Sequence, residues 1–216
     1  MSAIKAVFFD IDGTLYPIKG LNRQFARLYF FHPIRTVLFF KARKAVREVL
    51  KSTGDGSTTR DVFLHRQAQS VGKNGTYFNP IYQDIVKKRK IAPYKGLVQL
   101  LENLKNHNYM LGVLSDFPVE NKLKELGLDG YFTYCLSSED CGYLKPDKRA
   151  FDYILRVCGY KCNEVLYIGD SLTKDYNGAL NAGMSAVLVD GSSDKGFPVK
   201  DVYGILDISP TGTNDL

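Results

Sequence analysis

The sequence predicts an α/β protein, a doubly wound parallel sheet with an inserted all-helical segment. Short apolar runs recur along the chain, amphipathic segments of helical period separate them, and one basic stretch interrupts the alternation. Ile4 to Phe9 is the first run, apolar apart from one lysine, as expected of a strand buried on both faces. Tyr109 to Leu114 (YMLGVL), Tyr131 to Leu136 (YFTYCL), Val165 to Ile168 (VLYI) and Ser185 to Val189 (SAVLV) supply four more strands. Between them, Leu97 to Lys105 places Leu97, Leu100, Leu101 and Leu104 on one helical face. Lys148 to Cys158 does the same with Phe151, Ile154, Leu155 and Cys158, and Asp147 stands where an N-cap belongs.

The stretch from Tyr16 to Ala92 breaks the rhythm and reads as several helices, including a long basic one from about Pro33 to Lys51. The loop STGDGSTT, Ser52 to Thr59, and the segment Gly72 to Gly75 punctuate it. Residues 1–15 and 93–216 then form the α/β core and 16–92 a helical insert. The insert holds 16 Lys and Arg against 4 Asp and Glu, a balance of +12, so the rest carries −6 of the chain's +6. Such a surface can attract nucleic acid, an acidic membrane or a phosphorylated metabolite, and sign alone does not choose. Within Tyr29 to Leu50, the residues Phe30, Phe31, Val37, Leu38, Phe39 and Phe40 are more apolar than a small helical unit needs. They read as its core or a contact with a second copy, in preference to a membrane surface, which needs a cleaner split of faces. His32 and His65 have no evident partners and read as structural.

With 216 residues, 44% hydrophobic and 24% charged, the chain is long enough for a core with an insert and is not disordered in composition. Cys135, Cys141, Cys158 and Cys162 form no CxxC pair, which leaves buried reduced thiols as the plain reading. No signal-peptide pattern and no run of ~18 apolar residues is present, so a soluble, cytoplasmic protein is expected. The closing SPTGTNDL is expected to fray.

The chemistry concentrates at strand ends. In FFDIDGTL, Phe8 to Leu15, the first strand closes on Asp10 and Asp12, followed by a glycine that allows a sharp exit. At the carboxyl end of a parallel strand these side chains face the crevice where doubly wound folds bind ligands. Two carboxylates so close repel one another unless a proton or cation intervenes, and Mg²⁺, a hard ion with oxygen ligands, suits them. An Asp- and Gly-rich turn also ends many ordinary strands, so the context decides. Downstream come LSD, Leu114 to Asp116; LKPD, Leu144 to Asp147; and IGDS, Ile168 to Ser171, with Asp175 beyond. A hydroxyl, a lysine and further acids thus fall in order at successive strand or loop ends. Each has a plain alternative: Ser115 a turn cap, Lys145 a solvated lysine, Asp175 a first-turn helix acid.

In DIDGTL, the Ser after the second strand, LKPD and GDSLTKDYNGALNAGM, the chain resembles the haloacid dehalogenase superfamily, and within it the phosphatase branch. The resemblance covers the whole length outside the insert and implies a Rossmann-like core with a helical cap that closes over the site and selects the substrate. It implies that Asp10 attacks phosphorus to form an aspartyl-phosphate, with Asp12 as acid and then base. Ser115, Asp116 and Lys145 would bind the transferring phosphate. Mg²⁺ would be held by Asp10, Asp12 (through its carbonyl) and Asp170, with Asp175 in support. The implied function is Mg²⁺-dependent hydrolysis of a small phosphorylated metabolite, a nucleotide or sugar phosphate, by a monomer or homodimer. A phosphomutase using the same Asp10 chemistry is the rival. A dehalogenase has no need of Asp12; a binding protein without turnover and a nucleic-acid module are remoter, the latter lacking a recognition motif.

Overall fold

The computed structural model describes residues 3–17, 19–52, 59–85, 91–190, 197 and 199–208. Its sheet has five strands, β1 (Ala6–Phe9), β2 (Met110–Ser115), β3 (Tyr134–Ser137), β4 (Val165–Gly169) and β5 (Ser185–Leu188). They lie in the order β3-β2-β1-β4-β5, all parallel. The chain runs outward from β1 through β2 to β3, then returns to the other side of β1, so the switch point falls between β1 and β4. Asp10 and Asp170 follow those two strands directly.

Both faces of β1 are buried, as its unbroken apolar run requires. Val7 and Phe9 face a cluster with α5 (Leu97–Asn106), α6 (Glu120–Leu126) and the α10 helix Val199–Leu206, numbered after α1–α4 and α7–α9 below. Phe8 faces α8 (Lys148–Cys158) and α9 (Asn177–Asn181) through Phe151, Ile154 and Ala179. Gly112 on β2 makes room for Phe8, since a Cβ there would fall 2.3 Å from the ring. Asp147 caps α8 by accepting a hydrogen bond from the Arg149 amide at 2.9 Å.

The third strand begins later than the sequence reads. Tyr131 is tied into a turn through its amide to the Leu128 carbonyl at 3.1 Å, and pairing with β2 covers Tyr134 to Ser137 only. An apolar run marks burial, and Phe132 is buried in the core from within that turn. The cysteines also depart from expectation. All four are free thiols, but only Cys141 is buried; Cys158 and Cys162 are half-buried and Cys135 is exposed.

Between β1 and α5 the described backbone is helical: α1 (Lys19–Phe31), α2 (Pro33–Ser52), α3 (Arg60–Gln69) and α4 (Asn79–Ile85). Most of the STGDGSTT loop lies outside the described residues, as do 191–196 and the C-terminal 209–216. The chain enters and leaves this region side by side, where the Tyr94 amide donates to the Leu15 carbonyl at 2.9 Å. The apolar stretch divides: Phe39 is fully buried, Leu38 and Phe40 half-buried, and Phe30, Phe31 and Val37 exposed.

Phe39 packs with Leu28, Ala42, Phe78, Ile81 and Ile85, and Phe117 from the α/β core completes that cluster. Polar contacts join the same two parts. Arg43 of α2 is nearly inaccessible and donates at 2.6 Å both to Glu139 of the short helix α7 (Ser138–Cys141) and to the Asp116 carbonyl. Its guanidinium lies 4.1 Å from the Phe117 ring centre. Arg60 meets Asp140 at 2.8 Å, and Tyr82 donates to Glu139. Losing the Arg43 charge would leave Glu139 short of a partner in a dry seam. Arg43→Met is therefore expected to lower unfolding free energy by about 3–5 kcal/mol, read from denaturant titration. A loss below ~1 kcal/mol would show that the seam does not hold the two parts together.

Candidate active site

The site is built at the carboxyl edge of the sheet, where β1, β2 and β4 release their chains on one side. Asp10 remains in the sheet's hydrogen-bond pattern, its amide donating to the Ile168 carbonyl at 2.8 Å, which fixes its side chain at the switch point. Gly13 follows in a left-handed conformation, φ 95°, that favours glycine. A Cβ at Gly13 would stand 2.2 Å from an Asp170 oxygen, so the turn passes the second acid at backbone distance. Gly169 serves similarly, since a Cβ there would fall 2.3 Å from that of Asp175.

Lys145 stands at the centre. Its buried ammonium donates to Asp10 at 2.7 Å, Asp175 at 2.6 Å, the Tyr167 hydroxyl at 3.0 Å and the Leu114 carbonyl at 3.3 Å. Burial alone would lower the lysine pKa, but the charges of Asp10 and Asp175 outweigh it and hold the group well above its ordinary value. Asp175 is positioned further by the Ser171 amide at 3.1 Å. The solvated-lysine reading of Lys145 does not fit this burial.

Asp10, Asp170 and Asp175 each bring one carboxylate oxygen within 4.8 Å of the others. Burial pushes Asp10 up to about 8, opposed by Lys145 and reinforced by Asp175, and pushes Asp170 up to about 6 with help from Asp175. One lysine therefore does not neutralise the cluster. Its all-oxygen donors and excess buried negative charge fit a small divalent cation, whose opposite ligands stand about 4.2 Å apart at a bond length near 2.1 Å. The Asp12 carboxylate is not among these three; it accepts from the Tyr16 hydroxyl and pairs with Lys122.

Ser115 ends β2 almost fully buried, its hydroxyl accepting from the Phe117 amide at 3.3 Å. Asp116 has its carboxylate committed elsewhere: to Arg47 at 2.7 Å, the Ser138 hydroxyl at 2.8 Å and the Lys145 amide at 3.1 Å. Burial would raise its pKa, yet Arg47, Lys145 and Arg43 hold it well below the usual carboxylate range. Asp116 is thus an anionic joint between α2, β2 and the LKPD loop.

Above these residues lies a cavity of about 410 Å³, with Asp10, Asp12, Ser115, Lys145, Asp170 and Asp175 on the sheet side. Phe25, Phe40, Arg43 and Arg47 close it from the helical insert. Sequence reading missed Tyr16, Lys122, Arg43, Arg47 and Tyr167. A signal existed for two of them. Val119, Lys122, Leu123 and Leu126 follow the i, i+3, i+4, i+7 stripe of a core-facing helix, as do Phe39, Ala42, Arg43 and Val46. A charge on such a stripe is a buried charge in want of a partner.

Comparison with known proteins identifies the family. The family model of haloacid dehalogenase-like hydrolases matches residues 7–189. The glyceraldehyde 3-phosphate phosphatase of Methanothermobacter thermautotrophicus is 32% identical over 199 residues, covering 86% of this chain and 85% of the relative. The ribulose-1,5-bisphosphate 5-phosphatase of Halopiger xanaduensis is 25% identical over 213 residues, covering 88% and 86%. Among solved structures, the hydrolase YfnB of Bacillus subtilis, bound to magnesium, superposes with a TM-score of 0.61 at 22% identity, covering 96% of this chain and all of that one, a likeness of fold. The chain belongs to the haloacid dehalogenase-like hydrolase family, and its curated relatives place it on the phosphatase side of that family.

Proposed function

We propose that the protein hydrolyses a small phosphorylated metabolite, with Asp10 as nucleophile and Mg²⁺ as cofactor. The observation that carries this reading is the buried Lys145 ammonium shared by Asp10 and Asp175 beside Asp170. It opposes the burial that pushes the Asp10 carboxyl toward its protonated form, and it places positive charge where an anionic phosphate must approach. A sugar phosphate is the substrate class that the names of the two relatives support.

Asp10 attacks phosphorus as the ester P–O bond breaks, and Asp12 gives its proton to the leaving oxygen. Water then attacks the aspartyl-phosphate, Asp12 takes the proton, and the bond to Asp10 breaks to release phosphate. Ser115 and Lys145 hold the phosphoryl oxygens. Asp116, which lines the same cavity, would meet the phosphate beside them, while its carboxylate holds Arg47 and the Lys145 loop in register. Asp10, Asp170 and the Asp12 carbonyl would hold Mg²⁺, with Asp175 alongside, and the ion would offset the repulsion between carboxylate and phosphate. Residues 16–92 are the cap, whose basic charge draws in the anion and whose Phe25, Phe40 and Arg47 meet the rest of the substrate.

The test is phosphate release from triose, pentose and nucleoside phosphates in Mg²⁺ and after chelation. Release on at least one ester is expected, falling by about 10³-fold or more on chelation and returning with Mg²⁺. Turnover that ignores chelation would overturn the cofactor assignment. A folded, Mg²⁺-binding protein that releases phosphate from no ester would point to phosphoryl transfer between sugars.

A further inference from the structure

We propose that Tyr16 and Lys122 form a positioning clamp on Asp12, holding the proton-transferring carboxylate at one orientation through both of its oxygens. The inference rests on the proposed role of Asp12 and adds two residues to it. Tyr16 donates to Oδ1 and the Lys122 ammonium pairs with Oδ2. The two partners come from unrelated parts of the chain: Tyr16 from the turn after β1, Lys122 from α6, 110 residues beyond Asp12. Neither is a chance surface contact. Tyr16 is 1% exposed and packed into the cluster that includes Phe9 and Ile11, and the Lys122 side chain is 4% exposed.

Burying an ammonium among Val119, Leu123 and Leu126 is costly unless a carboxylate receives it. At that position an apolar residue would pack α6 onto the sheet at no electrostatic cost. The lysine's reach to Asp12 supplies the function that packing does not. Phe117, whose ring centre lies 5.3 Å from the Lys122 ammonium, keeps the side chain directed along that path. A carboxylate oxygen has two lone-pair directions, so one held oxygen can still exchange a proton with a leaving group or water. What the clamp removes is rotation of the Asp12 side chain, and proton transfer depends steeply on that geometry.

The clamp is tested by leaving-group dependence. An alkyl phosphate needs a proton on its departing oxygen, whereas para-nitrophenyl phosphate does not. Lys122→Met is expected to slow first-turnover cleavage of the alkyl ester about 100-fold and of the nitrophenyl ester less than about 5-fold, with KM little changed. The aspartyl-phosphate should then accumulate on the nitrophenyl ester, because the water step also uses Asp12. Lys122→Arg should restore most of the alkyl-ester rate. Tyr16→Phe, which keeps the ring in the core, should show the same selectivity and carries the test should Lys122→Met not fold. Equal losses on both esters, or none on either, would overturn the clamp. Asp10→Asn separates the two levels: activity surviving in that variant sinks the reading of the site, whereas unselective losses in an enzyme that Asp10→Asn silences sink only the clamp.

Discussion

Asp10→Asn is expected to lower phosphate release by about 10⁴-fold or more while leaving the protein folded. The amide matches the carboxylate in size but cannot attack phosphorus, and no neighbour replaces it. Asp170 and Asp175 lie close, yet Asp175 is committed to Lys145 and the Ser171 amide. Stability should change by less than ~1 kcal/mol, because burial already disfavours the Asp10 charge and Asp175 remains as a partner for Lys145. Phosphate release and circular dichroism on the same preparation check both halves. Activity above about 1% of wild type would remove Asp10 from the nucleophile's role.

Lys145→Met should damage stability as well as activity. The substitution leaves Asp10, Asp170 and Asp175 clustered without the ammonium that Asp10 and Asp175 share, and breaking a buried pair of this kind costs about 3–5 kcal/mol. The cost should depend on pH in a definite direction. The folded-state pKa of Asp10 already lies above its ordinary value, at about 8, and losing Lys145 raises it further. A carboxylate with a raised folded pKa contributes stability in acid and loses it as pH rises. The deficit relative to wild type should therefore be small near pH 4 and grow toward and beyond pH 8. Mg²⁺ should recover part of it, since a ligand that binds only the folded state stabilises it by mass action. Thermal unfolding of both proteins across pH, with chelator or Mg²⁺, measures each claim. A deficit that shrinks toward high pH, or that Mg²⁺ leaves untouched, would mean that Lys145 does not neutralise this cluster. Phosphate release should also fall by about 10³-fold, since an oxyanion partner is lost together with the charge that favours the ionised form of Asp10.

Much of the molecule was legible because its signals are local. A strand buried on both faces needs a continuous apolar run, so β1 and β4 could be placed from AVFF and VLYI. The first acids lay in DIDGTL and GDSLTKD because a parallel strand delivers its chemistry at its carboxyl end. Lys145 was legible from its place before a helix, although its four acceptors were not. The start of β3 was misread because Tyr131 and Phe132 are apolar for a turn that is partly buried, and hydrophobicity reports burial without reporting pairing.

The sequence by itself determined the class of fold, the edge of the sheet that bears the site and the acids that follow β1 and β4, since each depends on residues within a few positions of one another. Only the tertiary structure decided which charges meet. Asp12 with Lys122, Arg43 with Glu139 and Arg47 with Asp116 are separated by 110, 96 and 69 residues. Such pairs arise when segments far apart in the chain pack together over the same edge of the sheet. A buried charge announces in sequence only that it needs a counter-ion; the packing of the chain chooses which one it finds.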